Sequence, residues 1–351
     1  MIGFTPAQIT EELQAFQAKL TQGAQTLRDL GAIEAGVSPR EAVYQENKLV
    51  LYRYQPRVAQ PHPVPLLIVY ALVNRPYMMD LQEDRSMIRG LLDAGLDVYL
   101  IDWGYADADD RQLTLGDYVH GYIGNCVDFL RERYQMDAIN LLGVCQGGAL
   151  SLCFASLYPE KVRNLVTMVT PVDFHTPDNL LTHLIRHVDI DLLVDTLGNL
   201  PGQLLNFAFL SLSPFRLAGQ KYVDLVDIFD DAQALKNFLR MEKWIFDSPD
   251  QAGEAFRQFA KEFFQQNKLI KGEVQIGAQR VDLGNITMPI LNVYANQDHL
   301  VPPAASKALA EYCGSGDYSE LSFKGGHIGI YVSARAQREV PPAIAAWLLA
   351  R

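Results

Sequence analysis

The order of apolar and polar residues changes character several times along the chain. Near the start, Ile9, Leu13, Phe16, Leu20, Leu27 and Leu30 recur at helical steps and place one apolar stripe on a helix. Thr5 can cap that helix, Pro6 suits its first turn, and Gln8 completes a capping box. From about residue 43 the apolar residues come in short unbroken runs: LVLYRYQP, PVPLLIVYALV, DVYLIDWG, AINLLGVC and VRNLVTMVTPVDF. These read as strands, with PVPLLIVYALV, rich in branched residues, as a buried one. Between them MIRGLLDAGL, LGDYVHGYIGNCVDFLRERY and QGGALSLCFASLY read as helices, the second opened by Thr114 and Asp117. Strand–helix alternation of this kind predicts an α/β fold with a mostly parallel central sheet covered on both faces.

The alternation stops near His175. The following stretch reads as mostly helical, with one helix from Ile228 to Phe246. Ser248, Pro249 and Gln251 supply a cap, a first-turn proline and a box partner for a second helix through Gln266. Ten of the 16 phenylalanines fall between Phe207 and Phe264, as the core of a helical insertion or as an apolar lid over a site. The sheet pattern resumes with MPILNVYANQD, the helix PAASKALAEYC, the strand YSELSF, the loop KGGHIG and a final helix ending AIAAWLLAR. The expected organisation is an N-terminal helical segment over 1–40, an α/β core over 41–174 and 286–351, and a helical cap over 175–285.

Composition narrows the function classes. With 351 residues, 49% hydrophobic and 20% charged, the chain can build a sizeable core. A net charge of -11 leaves no global basic footprint for nucleic acid. The four cysteines, at 126, 145, 153 and 313, have no CxxC spacing, so neither a disulfide framework nor a zinc site is indicated. The start MIGFTPAQITEELQ has no signal-peptide pattern, and the longest apolar run, 64–73, is too short to span a bilayer. The expectation is a soluble cytoplasmic protein without a transmembrane segment.

The strongest chemical signal is Gly143-Val144-Cys145-Gln146-Gly147-Gly148, between a strand and a helix. This is the G-x-S-x-G nucleophile elbow with cysteine in place of serine. The glycines let strand and helix approach closely, and the helix N-terminus favours thiolate at Cys145. The Gln146 N–H is the expected first oxyanion donor, with a second from the loop near Val73. An acid and then a base should follow in chain order. Asp298 ends a late strand, with Asp173 as its rival, and His327 sits after the last strand among Gly325, Gly326 and Gly329. His299, next to the acid, either supports it or is a surface histidine. Asp102 reads as ordering a loop. His175, His183 and His187 form no metal set; Cys126, Cys153 and Cys313 read as small core residues.

A Cys–His–Asp set makes a thioester acyl-enzyme. If the donor is also a thioester, the first exchange is nearly isoenergetic, and transfer to a hydroxyl then yields a more stable oxygen ester. That favours acyl transfer; a cysteine-dependent ester or thioester hydrolase could use the same three residues, and a granule-associated structural protein with a decayed site is the third reading.

The wording GVCQGGALSLCFASLYPEKVRNLVTMVTPVDFHTPDNLL resembles the nucleophile region of polyhydroxyalkanoate synthases. ALVNRPYMMDL, LIDWGYAD, ANQDHLVPP and FKGGHIG resemble that family's other motifs, in its order. The short chain and the cysteine motif are most similar to the class III catalytic subunit. The resemblance implies an α/β-hydrolase fold with a helical cap that opens for substrate and polymer. It implies polymerisation of (R)-3-hydroxyacyl-CoA, mainly 3-hydroxybutyryl-CoA, with release of CoA. Cys145 would hold the acyl group, His327 would be the base, and Asp298 would help activate the incoming hydroxyl. It further implies a second, different synthase subunit, a homodimer of this subunit, and residence at the polyester granule surface. No cofactor is expected, since CoA arrives as part of the substrate. Arg75, Arg240 and Arg257 are guesses for contacts to its phosphates.

Overall fold

In the computed structural model, which describes residues 14, 21, 25, 35–212, 225–229 and 231–351, the branched apolar runs join in one eight-stranded sheet. The striped N-terminal helix expected over the first residues lies outside the described residues. The strands are β1 (Arg40–Glu46), β2 (Leu49–Tyr54), β3 (Leu66–Val69), β4 (Val98–Asp102), β5 (Ile139–Val144), β6 (Val162–Met168), β7 (Ile290–Ala295) and β8 (Tyr318–Phe323). Their order across the sheet is β1-β2-β4-β3-β5-β6-β7-β8. Strands β3 to β8 run parallel, while β2 is antiparallel to both β1 and β4. Strands β3, β4, β5 and β7 are buried at every position, as apolar strands covered on both faces must be.

Strand β1 is an addition to the sequence reading. REAVYQE is polar and mostly exposed because it forms the sheet edge, so no apolar run announces it. It hairpins into β2 through Asn47, whose φ of 51° suits asparagine.

Helices α1 (Met87–Asp93), α2 (Gly124–Tyr134) and α3 (Gln146–Leu157) lie where the 3.6-residue pattern puts them. The Thr114–Asp117 pair opens the helical stretch before α2 reciprocally: the Thr114 N–H donates to Asp117 Oδ2 at 2.7 Å and the Asp117 N–H to Thr114 Oγ1 at 3.4 Å. The first turns there, Asp117–Ile123, are π-helical.

Between β6 and β7, the described residues add no strand to the sheet. They form α4 (Ile190–Leu197), α5 (Gly202–Ser211), α6 (Ala232–Phe246) and α7 (Gly253–Gln258), with a small hairpin at Gln275–Ile276 and Gln279–Arg280. Two expected helix starts move. Helix α6 begins at Ala232 rather than Ile228, because the Asp231 carboxylate accepts the N–H groups of Gln233 and Ala234, each at 2.9 Å. Helix α7 begins at Gly253 rather than after Ser248. Gln251 instead bridges Leu200, and the N–H groups of Glu254 and Ala255 donate to the carbonyls of Arg111 and Leu113 at 3.0 and 2.9 Å. Main-chain carbonyls thus take the role assigned to a side-chain cap.

The phenylalanines of this interval divide. Phe259, Phe263 and Phe264 pack around Phe174 in one aromatic knot, whereas Phe207 and Phe246 are exposed. Ala252, Ala255, Phe259, Phe263, Leu269, Val274, Ile276, Val281, Leu283 and Ile286 share one apolar cluster with Leu67, Val69, Ile101 and the buried face of α3. The other sheet face, through Leu66, Ile68, Leu100 and Val144, packs α1 and the final helix α8 (Ala334–Leu349).

Candidate active site

The carboxyl ends of the parallel strands carry the chemistry, as open α/β sheets favour. Cys145 stands between β5 and α3 with φ 52° and ψ −122°, a conformation that L side chains rarely adopt. Its N–H donates to the Met168 carbonyl at 2.9 Å, and its carbonyl accepts the Gly148 N–H at 2.9 Å. Two glycines make the turn possible. A Cβ on Gly147 would lie 2.3 Å from the Val69 carbonyl oxygen and 2.4 Å from that of Tyr70. A Cβ on Gly148 would lie 1.8 Å from Thr170 Oγ1. Close contact of α3 with the end of β3 therefore raises a partly exposed thiol at the helix N-terminus.

The structure brings Asp298, and not Asp173, to His327. His327 Nδ1 is 2.6 Å from Asp298 Oδ2, and the carboxylate side chain is fully buried. The second oxygen, Oδ1, accepts the N–H groups of Leu300 and Val301 at 2.8 and 2.9 Å. Asp173 instead accepts the His175 N–H and the Asn267 amide at 2.9 and 2.8 Å. Burial pulls the His327 pKa down, but the Asp298 carboxylate and then the Cys145 thiol outweigh it and raise the value to about 10. The imidazolium form is thus favoured. His299 is exposed and takes no part in these bonds; the support expected of it comes from the Leu300 and Val301 N–H groups.

Among the described residues, neither the Gln146 N–H nor the Val73 N–H has a hydrogen-bond acceptor. Gln146 ties the two segments together, its Oε1 accepting the Leu72 N–H at 3.2 Å.

A clamp that the sequence reading missed fixes the loop after β3. Asn74, with φ 57°, donates its amide to the carbonyls of Trp244 and Ile245 at 3.2 and 3.1 Å. Trp244 Nε1 donates to the Arg75 carbonyl at 2.8 Å. The Tyr77 and Tyr105 hydroxyls donate to the Asp247 carboxylate at 3.0 and 2.7 Å. The C-terminal turn of α6 is thereby pinned over the loop that carries Val73, and Met241, Trp244 and Ile245 share an apolar cluster with Cys145. The available sequence signal was an asparagine directly after the apolar run PVPLLIVYALV, a residue that tolerates left-handed backbone.

All three arginines considered for phosphate contacts are engaged within the fold. Arg75 is largely buried against Asp102 at 2.8 Å and donates to the Gly104 carbonyl at 2.7 Å, so Asp102 orders a loop. Arg257 pairs with Asp191, Asp195 and Glu254. Arg240 donates to Gln82 Oε1 at 3.1 Å. Cys126 and Cys153 are buried, and burial pushes the Cys153 thiol up to about 12. Among the described residues, no group of three His, Cys, Asp or Glu side chains could hold a metal ion, and no helix is long and apolar enough to cross a membrane.

Comparison with known proteins places this geometry. The family model for the alpha/beta hydrolase fold matches residues 64–334, and that for the poly-beta-hydroxybutyrate polymerase (PhaC) N-terminus matches residues 7–91. The chain is 63% identical over 349 residues to the poly(3-hydroxyalkanoate) polymerase subunit PhaC of Allochromatium vinosum, covering 99% of this chain and 98% of that one. It is 59% identical to the protein of the same description from Synechocystis sp., covering 96% and 91%. Among solved structures, the Paleococcus ferrophilus monoacylglycerol lipase superposes with a TM-score of 0.55 at 18% identity, covering 86% of this chain and 98% of that one. That likeness shows the fold.

Proposed function

The chain belongs to the poly(3-hydroxyalkanoate) polymerase PhaC family, and from that premise we propose how its residues carry out polymerisation. Cys145, as thiolate, attacks the carbonyl of a (R)-3-hydroxyacyl-CoA thioester. The new carbon–sulfur bond forms, the bond to CoA sulfur breaks, and the His327 imidazolium supplies the proton that leaves with CoA. In the second half, neutral His327 takes the proton of an incoming 3-hydroxyl, whose oxygen attacks the Cys145 thioester. An ester bond forms and the thiolate returns. Asp298 holds the imidazole in one tautomer and supports its charged form. The Gln146 and Val73 N–H groups receive the oxyanion in both halves.

The single observation that carries this reading is the strained Cys145 turn facing the Asp298–His327 pair. The pinned end of α6 and its apolar side chains keep water from the acyl group, which favours a hydroxyl acceptor over hydrolysis. The reaction needs no cofactor. We further assign the protein a second, different subunit, a homodimeric arrangement and residence on the polyester granule in the cytoplasm, in keeping with its class III resemblance.

The test is incubation of (R)-3-hydroxybutyryl-CoA with the purified chain, alone and with its partner subunit. CoA release should accompany insoluble material that yields methyl 3-hydroxybutyrate on methanolysis. CoA release with only soluble 3-hydroxybutyrate would assign a thioester hydrolase to the same three residues.

A further inference from the structure

Two tyrosines beside the nucleophile carry hydroxyls for which the fold has no use. Tyr70 follows β3 and is 4% exposed; Tyr331, four residues after His327, is 1% exposed. Both belong to the apolar cluster packed against Cys145 and Val73. The Tyr331 ring meets the His327 ring edge-on, with centroids 6.1 Å apart and planes at 74°. Tyr70 directly follows Val69, which pairs with Gly143 two residues before Cys145, and a Cβ on Gly147 would lie 2.4 Å from the Tyr70 carbonyl oxygen. Both tyrosines are thus packed at the Cys145 turn and the His327 ring.

Neither hydroxyl has a hydrogen-bond partner among the described residues. Buried phenols elsewhere are partnered: Tyr99 with Tyr134, and Tyr77 with Asp247. Packing alone is served as well by phenylalanine. Burial raises the pKa of both phenols, so they remain protonated and can donate. An acyl group on Cys145 has its carbonyl oxygen answered by the Gln146 and Val73 N–H groups. On a short hydroxyacyl group the next polar atom is the oxygen at C3, two carbons further on.

We propose that Tyr70 and Tyr331 form a two-donor pocket for the C3 oxygen of the acyl group on Cys145, and so select 3-oxygenated acyl groups over plain ones. This rests on the acyl-enzyme reading above. The pocket is a specificity device: it leaves the bond-making groups unchanged and sets which acyl groups reach them. A site built to hydrogen-bond a substrate oxygen rejects the analogue without it far more strongly than an apolar pocket can.

The experiment compares the first-turnover release of CoA from (R)-3-hydroxybutyryl-CoA and from butyryl-CoA, with the mass of the acylated protein as a second readout. The variants are Tyr70→Phe, Tyr331→Phe and the double substitution, with Tyr54→Phe as control, since the Tyr54 hydroxyl is buried without a partner. Each single substitution should lower the preference for the hydroxylated substrate by about tenfold, the scale of one hydrogen bond, and the double by more. The loss should fall on the hydroxylated substrate, with butyryl-CoA little changed and Tyr54→Phe without effect. Equal loss on both substrates, or an unchanged preference, overturns the proposal. Wild-type protein that is acylated by neither thioester overturns the acyl-enzyme reading itself.

Discussion

Replacing Asp298 with asparagine tests the buried pair at its strongest point. The substitution is nearly isosteric, and an amide oxygen can still accept the N–H groups of Leu300 and Val301. What it removes is the negative charge 2.6 Å from His327 Nδ1. In the native protein the rise of the His327 pKa from 6.5 to about 10 corresponds to roughly 5 kcal/mol of preference for imidazolium. Because the folded pKa lies above the unfolded one, this stabilisation is fully present below about pH 6.5 and is lost as pH rises through about 10. In Asp298→Asn the main raising influence is gone while burial still opposes charge, so the His327 pKa falls. Thermal unfolding of both proteins across this range should show a stability gap that is widest near neutral pH and below, and that closes toward pH 10. The first-turnover CoA release should drop by two to four orders of magnitude, as when the orienting acid of such a set is neutralised. Parallel stability profiles for the two proteins would refute the assignment of the linked proton to His327.

Other outcomes follow from the same geometry. Gly147→Ala places a methyl group against the Val69 and Tyr70 carbonyl oxygens, so it should cost about 1–3 kcal/mol in denaturant unfolding and reduce acylation as the Val73 loop shifts. Trp244→Ala should destabilise by about 3–5 kcal/mol in the same assay and raise the share of soluble hydroxy acid among the products, since it empties the clamp over the site. Brief treatment of the folded protein with iodoacetamide, read by peptide mass, should label Cys145 while sparing Cys126 and Cys153, whose buried thiols stay protonated.

Much of the sheet was legible because buried parallel strands are written as unbroken branched runs. LLIV, VYLID, INLLGV and ILNVYA needed no tertiary information. Cys145 was legible from the small residues that its turn demands, and His327 from its place after the last strand. Polar REAVYQE was not, since an edge strand has little to bury. The start of α7 was misread because main-chain carbonyls of Arg111 and Leu113, distant in sequence, replace the local cap. The Asn74–Trp244 clamp and the Tyr70–Tyr331 pair were hidden for a related reason. Their meaning depends on segments far apart in the chain meeting above Cys145, and no local period records that meeting.

The most direct test of the account is the mass of the Cys145 peptide after brief exposure of the protein to (R)-3-hydroxybutyryl-CoA. The peptide should gain a hydroxybutyryl unit, or several, in a form released by hydroxylamine, and the gain should vanish in Cys145→Ala together with polymer. Steady release of CoA and growth of polymer with the Cys145 peptide unmodified, or with Cys145→Ala still active, would contradict it.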